Sequence, residues 1–221
     1  MTVLSIDTAQ EFGSLALAYG AELLEEVPLH APDGFSSILF DQLQKLLRRN
    51  NIELKEIDIY AAAAGPGSFT GIRIGLSAAK SLAFANAKPC YGVSNLAAMA
   101  NLGTEPARAA VIDARRGEVY GGVFGDHPVP ETVAPFPAWL KTLPQKVTEF
   151  LAFDFAPFAL TLDASPLAAA ARTTCPRALA ASVAELALER FRLGEDGDPA
   201  QVDANYVRRS DAELLWTDRT S

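Results

Sequence analysis

The stretch Ala61-Ala-Ala-Ala-Gly65-Pro66-Gly67-Ser68-Phe69-Thr70-Gly71-Ile72-Arg73-Ile74-Gly75 decides the fold class of this 221-residue chain. It continues an apolar run that starts at Ile57, which is typical of a strand buried on both faces of a parallel sheet. Closely spaced glycines and one proline then permit a tight turn, and the pattern predicts a helix from about Thr70 to Asn86. Free backbone N–H groups at the start of such a helix can hold an anion or contact another chain.

Acidic residues are absent from the segment around this turn. No Asp or Glu occurs from Ile59 through Thr104, although the whole chain carries 27 acidic and 19 basic residues. This favours an anion or an acidic partner surface over a metal cation; the alternative interpretation is that a buried element has little room for carboxylates. The residues predicted to contact an anion or a nucleotide are Gly65, Gly67, Ser68, Thr70 and Arg73.

Three familiar motifs do not fit the turn. A Walker A motif needs Gly-x-x-x-x-Gly-Lys-Ser/Thr, and no such spacing starts at Gly65 or Gly67. A dinucleotide fingerprint fails because its third glycine comes one residue late, at Gly71, and no acid ends the next predicted strand. A nucleophile elbow fails because Ser68 has no glycine two residues to either side.

The composition is that of a globular protein with an acidic balance. The chain is 49% hydrophobic and 21% charged, with a formal net charge of −8 and a pI of about 4.8, which argues against broad nonspecific binding to nucleic acid. Without a leader-like or membrane-spanning apolar segment, a cytoplasmic protein with no membrane contact is expected. Cys90 and Cys175 are expected to be reduced, and two histidines without metal-ligand spacing predict no metal site.

The chain repeats one plan in its two halves. The segments Val3 to Gly20 and Arg108 to Gly125 each contain an apolar strand that ends in Ile-Asp, a turn and a returning strand. The two aspartates, Asp7 and Asp113, lie about half the chain apart. We therefore predict a duplicated α/β fold whose two hairpins face each other across a cleft.

The second lobe is expected to be less regular than the first. The predicted lobes are residues 1–104 and 105–221, with the C-terminal tail packing back on the first lobe. Five prolines between Asp126 and Pro144 predict an irregular segment, and the pattern from Phe158 to Leu162 suggests a strand. A last long helix is predicted between Pro176 and Gly194.

Five segments carry a resemblance to a known family. They are the glycine turn with Ala79-Lys80, Leu4-Ser-Ile-Asp7-Thr8, Val93-Ser-Asn-Leu96, Asp113-Ala-Arg-Arg-Gly-Glu118-Val-Tyr120 and Asn205-Tyr-Val-Arg208. Together they closely resemble the TsaB (YeaZ) family over almost the full chain. The resemblance implies a two-lobed actin-like ATPase fold, which is a duplicated ribonuclease H-like architecture. It also implies a role in making threonylcarbamoyladenosine next to the anticodon of tRNA.

The resemblance also implies the partners. In that family the related subunit TsaD carries the metal and transfers the threonylcarbamoyl group, TsaB is its dimerisation partner, and the small ATPase TsaE docks on the pair. The chain is therefore expected to be no enzyme on its own, to form a homodimer when alone and to reach tRNA only through the complex. No cofactor of its own is expected, and ATP or ADP would bind at the interface of the complex.

The helix after the glycine turn suggests a place for the partner. Its small residues recur every four positions from Gly71, so that one face is nearly bare and another helix can approach closely. We hypothesise that this face, with part of the preceding helix, contacts TsaD or a second copy of the chain. The residues predicted for this interface are Gly71, Ile72, Gly75, Leu76, Ala79, Leu39 and Leu43.

Asp7 and Asp113 are interpreted as turn-forming residues whose side chains accept hydrogen bonds from local N–H groups. One alternative is a stand-alone actin-like or sugar-kinase-like ATPase that uses both aspartates. A peptidase of the M22 type would need a metal or nucleophile site, and neither is visible in the sequence. A direct tRNA-binding module is a further alternative, although ordinary surface ion pairs explain its arginines more simply. Its candidate residues are Arg115, Arg116, Arg208 and Arg209.

Overall fold

Two five-stranded β-sheets form the framework of the structure, a computed structural model that describes residues 1–208. In each sheet, the first strand of an antiparallel three-strand meander also pairs in parallel with a fourth strand, which pairs in parallel with a fifth. The second half of the chain thus repeats the strand order of the first, and the predicted duplicated α/β fold is confirmed. No helix in residues 1–208 is long and apolar enough to cross a membrane.

The first sheet has the strand order β3-β2-β1-β4-β5. Its strands are β1 at Thr2–Asp7, β2 at Phe12–Tyr19, β3 at Glu22–His30, β4 at Ile59–Gly65 and β5 at Cys90–Ser94. Every residue of β1 and β4 is buried, because helices cover both faces of these central strands. The alanine run of β4 is therefore an interior strand, as its unbroken apolar character predicts.

The second sheet has the order β10-β9-β6-β7-β8. Its strands are β6 at Ala107–Arg115, β7 at Glu118–Gly125, β8 at Val129–Pro135, β9 at Glu149–Ala152 and β10 at Ala171–Thr174. Because β6 and β7 repeat the pairing of β1 and β2, the two Ile-Asp segments occupy equivalent positions in the two sheets.

Within residues 1–208, six α-helices accompany the sheets. They are α1 at Leu39–Arg49, α2 at Phe69–Ala85, α3 at Asn95–Ala100, α4 at Phe136–Thr142, α5 at Ala159–Asp163 and α6 at Ala180–Arg192. Short 3₁₀ turns occur at Phe35–Ser37, Leu54–Glu56 and Pro199–Gln201. Helix α2 is the predicted helix after the glycine turn.

Two predictions for the second lobe are wrong. The proline-rich segment forms β8 and α4, because β8 is an edge strand that tolerates proline and Pro137 lies in the first turn of α4, where no backbone donor is needed. The predicted strand at Phe158 to Leu162 is a helical turn, in which the Leu162 N–H donates to the Phe158 carbonyl at 2.9 Å. An apolar stretch this short fits either structure by its pattern alone.

Helices α2 and α6 lie on opposite faces of the first sheet. The Ser5 hydroxyl of β1 donates to the Ala180 carbonyl at the start of α6, at 2.6 Å. The next residue of β1, Ile6, lies against Gly75 of α2. Successive side chains of a strand point to opposite faces, so α6 covers the face that α2 leaves open.

Helix α6 completes the core of the first lobe although it comes from the second half of the chain. Its first N–H groups donate to Ser14 and Glu26 of the first sheet, at 2.9 and 3.0 Å. The same apolar core also contains Ala110 and Ile112 of β6. The predicted boundary between residues 104 and 105 therefore separates the two sheets, but it does not separate the layers that cover them.

Residues 196–208, which we call the C-terminal strap, run from the first lobe to the second. The Gly197 carbonyl accepts from Cys90 of β5 at 2.8 Å, and the Asn205 N–H donates to the Ala64 carbonyl of β4 at 2.7 Å. On the second lobe, the Asn205 side chain donates to Glu131 at 2.6 Å, and Arg208 donates to the Ala114 carbonyl at 2.9 Å.

Candidate functional site at the interlobe cleft

The glycine turn is anchored to the end of β1. The Ser68 N–H donates to the Ala9 carbonyl at 2.6 Å, and the Ser68 hydroxyl caps α2 by accepting from the Gly71 N–H at 3.3 Å. Gly65 has a φ of +104°, which a residue with a side chain rarely adopts, and its N–H donates to Asn95 at 3.0 Å. Three hydrogen bonds thus fix the turn: one to the chain after β1, one to Asn95 and one to the start of α2.

The small face of α2 packs inside the chain itself. The Thr8 hydroxyl donates to the Gly71 carbonyl at 2.7 Å, and a Cβ added at Gly71 would collide with the Thr8 carbonyl oxygen. A Cβ added at Gly75 would lie 2.5 Å from the Thr8 hydroxyl oxygen. The small residues therefore let α2 approach the backbone that leaves β1.

The prediction that this face is free for a partner is consequently wrong. Helix α2 needs glycine where the chain after β1 crosses it, so this face of the helix is already packed against the chain's own backbone and is not accessible to a partner. The apolar residues predicted for the same interface are also buried in the first core, on the inner sides of α1 and α2. They are Ile72, Leu76, Ala79, Leu39 and Leu43.

The outer sides of α1 and α2 remain exposed and lie on the same face of the first sheet. Arg49 of α1 donates to Glu25 of β3 at 2.9 Å; Glu25 is paired across the sheet with Leu17, and Leu17 with Leu4. Leu4 shares its face with Ile6, which contacts α2. We call the exposed part of this layer the helical face. It comprises Phe40, Gln44, Ser77, Ser81 and Phe84.

Asp7 is fully buried in the core at the end of β1. Its Oδ1 accepts from the Ala9 N–H at 3.0 Å and from Asn95 Nδ2 at 3.4 Å, and its Oδ2 has no hydrogen-bond partner in the described part of the chain. Burial raises the pKa of this carboxyl to about 6, and the hydrogen bonds from Ala9 and Asn95 oppose that rise.

Asp113 occupies the equivalent position in the second sheet and is exposed. Its Oδ1 accepts from the Arg115 N–H at 2.8 Å, so that both aspartates bond the backbone N–H two residues ahead, as in an Asx turn. Among residues 1–208, no group of three or more His, Cys, Asp and Glu side chains is arranged to hold a metal ion.

A cleft of about 490 Å³ lies between the two hairpins. Gln10 and Glu11 line it from the first lobe, and Asp113 and Tyr120 line it from the second. The equivalent hairpins thus face each other, as their repetition in the sequence predicts. Asp7 is not among the residues that line this cleft.

The cleft includes part of the predicted anion site. Gly67, Ser68 and Thr70 line it, whereas Gly65 is buried beneath the turn. Arg73 lies outside the cleft, because its guanidinium is held 3.7 Å from the centre of the Phe69 ring. The start of α2 therefore faces the cleft without the arginine that the sequence suggested.

Sequence reasoning missed the polar network behind the turn. Asn95 joins Asp7 to the Gly65 N–H, and Glu131 of β8 accepts from both Ser94 and Asn205. A polar Ser-Asn pair directly after an apolar strand is the local signal for the first of these contacts. No local signal points to Glu131, whose partners are supplied by distant segments.

Comparison with protein families and curated proteins identifies relatives of this chain. The family model for TsaD, tRNA N6-adenosine threonylcarbamoyltransferase, matches residues 26–191. A tRNA threonylcarbamoyladenosine biosynthesis protein TsaB from Haemophilus influenzae is 33% identical over 66% of this chain and 64% of its own length. The Bacillus subtilis protein of the same name is 30% identical over 66% of this chain and 67% of its own length. The chain thus matches about two thirds of the length of these relatives.

A solved structure extends the similarity. YeaZ from Pseudomonas aeruginosa superposes with a TM-score of 0.77 at 25% sequence identity, covering 93% of this chain and 99% of that protein. The two-lobed actin-like arrangement is therefore shared over 93% of this chain. On the family match and the identities above, the chain belongs to the TsaD family of threonylcarbamoyladenosine biosynthesis proteins, in its TsaB (YeaZ) branch.

Proposed function

We propose that this chain supports the biosynthesis of threonylcarbamoyladenosine in tRNA, in the cytoplasm, as a non-catalytic subunit that pairs with a TsaD-type transferase. The burial of Asp7 carries the non-catalytic part of the proposal. A stand-alone ATPase would need its paired acids at the cleft to hold Mg²⁺ and orient water, and Asp7 is 0% exposed and does not line the cleft. The TsaB names of the curated relatives support the pathway.

The helical face is the proposed contact for TsaD. Phe84 and Phe40 are 81% and 57% exposed, and exposed aromatic residues are characteristic anchors of protein interfaces. A partner from the same family carries the same fold and can present the equivalent helices, so that two similar layers pack together. We propose that a second copy uses this face when the chain is alone, and that TsaE docks on the heterodimer.

Nucleotide is proposed to bind only in the complex. Gly67, Ser68 and Thr70 offer backbone and hydroxyl groups to the cleft, while the chain supplies no Walker A lysine beside them. ATP or ADP is therefore proposed to bind at the interface of the complex, and tRNA modification is proposed to require TsaD.

Substitution of Phe84 tests the partner surface. We expect Phe84→Glu to weaken association with TsaD from the same organism by roughly 30-fold, because burying a charge in place of an aromatic anchor removes a hot-spot contact. The measurement is size-exclusion chromatography with light scattering on the chain alone and mixed with TsaD, followed by titration calorimetry.

The matched control is Leu160→Glu, which places the same charge at an apolar side chain that is 88% exposed on α5. This variant should bind TsaD like the unmodified chain. If the unmodified chain forms no complex with TsaD, the proposed partnership is refuted. If both variants bind TsaD normally, the partner is bound elsewhere and the helical face is the wrong surface.

A further inference from the structure

A second groove, of about 520 Å³, opens between the tip of the β6–β7 hairpin, the start of α2 and the C-terminal strap. It adjoins the interlobe cleft and shares Arg115 and Arg208 with it. Among residues 1–208, none of those that line it is acidic, although the chain as a whole has a net charge of −8. We call it the arginine groove. Its characteristic lining residues are Arg115, Arg116, Arg208, Tyr120, Phe69 and Tyr206.

Two arginines at the hairpin tip adopt a backbone conformation that suits other residues better. Arg115 and Arg116 have φ values of +65° and +56°, and Gly117 follows with +76°. The two-residue loop is Arg116-Gly117, because Arg115 pairs with Glu118, and positive φ at both loop residues is typical of a type I′ turn, for which Asn-Gly is the favoured sequence. Arginine in this region costs free energy.

The arginine side chains differ in how they are held. Arg208 is fixed, since it is paired with Glu118, donates to the Ala114 carbonyl at 2.9 Å and lies 5.4 Å from the centre of the Tyr120 ring. The Arg115 side chain is exposed and makes no ion pair within residues 1–208. It also borders three cavities, so its guanidinium is available to an anion that enters from either side.

An aromatic wall stands opposite these arginines. The rings of Phe69 and Tyr206 stack with centroids 4.9 Å apart and are 40% and 42% exposed. Arg73 fixes both, because its guanidinium lies 3.7 Å from the centre of the Phe69 ring and its Nε donates to the Tyr206 hydroxyl at 3.0 Å. The wall is a preformed aromatic surface on which an unpaired base can stack.

We propose that the arginine groove binds a single-stranded RNA segment, with a phosphate on Arg115 and a base on the aromatic wall. A duplex cannot offer a free base face to the wall, so the ligand is an unpaired stretch. The inference rests on the proposed function, in which tRNA is the substrate of the complex, and it adds a direct contact between this chain and RNA. A free nucleotide carries the same chemistry and is separated from RNA by the test below.

Fluorescence anisotropy with a labelled single-stranded RNA of about six nucleotides measures this binding on the full chain. Neutralising one phosphate of a single strand gives a log–log salt slope near −0.7, so affinity should fall roughly threefold from about 50 to 200 mM salt. Arg115→Asn should weaken binding roughly fivefold at low salt. This change leaves the fold intact, because Asn tolerates positive φ better than Arg does.

The matched control is Arg192→Gln, which removes an exposed arginine at the far end of α6. It should bind RNA like the unmodified chain; equal weakening by both variants would show nonspecific attraction and overturn the proposal. If AMP displaced the labelled RNA at a concentration equal to that of the RNA, the ligand would be a free nucleotide and the RNA proposal would be overturned. A second variant, Tyr206→Leu, should lower the affinity for RNA and leave the affinity for inorganic phosphate unchanged, because phosphate has no base to stack on the aromatic wall.

The RNA inference and the proposed function fail separately. Absence of saturable RNA binding by a chain that still forms the TsaD complex removes only the RNA inference. RNA binding by a chain that ignores TsaD removes only the proposed partnership, since the groove lies outside the helical face.

Discussion

Gly71→Ala is expected to destabilise the chain by about 3 kcal/mol or more, measured as the free energy of unfolding in urea. A methyl group in a helix interior normally stabilises by up to about 1 kcal/mol relative to glycine. Here the new Cβ would overlap the Thr8 carbonyl oxygen, and neither backbone can withdraw, because the Thr8 hydroxyl also donates to Gly71. The substitution is therefore expected to destabilise the chain, although alanine has a higher helix propensity than glycine.

Ser77→Ala is the matched control for this prediction. It lies on the same helix, on the exposed helical face, and should change the free energy of unfolding by no more than about 0.5 kcal/mol, in the stabilising direction. A Gly71→Ala chain with unchanged stability but lost TsaD binding would contradict the packing described here. It would restore the prediction that the glycine face contacts the partner.

The second large effect is a pH dependence of stability caused by Asp7. Its pKa in the folded chain is about 6, against an ordinary value of 3.8. Between these values the folded chain keeps the proton that the unfolded chain has lost. Stability should therefore fall by about 3 kcal/mol in total as the pH rises from about 3 to 7, with the steepest fall between the two pKa values, and this contribution should stay constant above about pH 7.

Comparison with Asp7→Asn isolates this contribution. Other carboxyl groups titrate in the same range in both proteins, so the difference between the two curves of unfolding free energy against pH reports Asp7. The difference should shift in favour of the variant up to about pH 7 and then level off. A constant difference across the range would mean that the Asp7 carboxyl is solvated in the folded chain.

The sequence predicts those features whose causes are local. The alanine strand, the glycine turn and α2 follow from an unbroken apolar run and helical spacing, and the duplication follows from the repeated Ile-Asp hairpin. Within the cleft, Gly67, Ser68 and Thr70 lie together because all three belong to one turn, and their contact with an anion stays a prediction. The strands that carry Asp7 and Asp113 are also predicted, because each is a local apolar run that ends in Ile-Asp.

Features that depend on distant segments were not predictable in this way. The spacing of Gly71 and Gly75 shows a bare helix face but not that the chain around Thr8 covers it. Arg73 is a plausible anion contact until Tyr206, far along the chain, binds it outside the cleft. The candidate Arg209 lies beyond the described residues, while Arg115 and Arg208 meet at one groove only because the strap crosses between the lobes.

The insertion of α6 into the first lobe has a consequence for how the protein is made. Residues 1–104 leave the ribosome with one face of β1 and β2 uncovered, because the helix that covers it spans Ala180–Arg192. Domains usually fold in order as they are synthesised, but this lobe cannot bury its core until nearly the whole chain has emerged. A first lobe truncated at residue 104 is therefore expected to expose the apolar face that α6 covers and to be prone to aggregation.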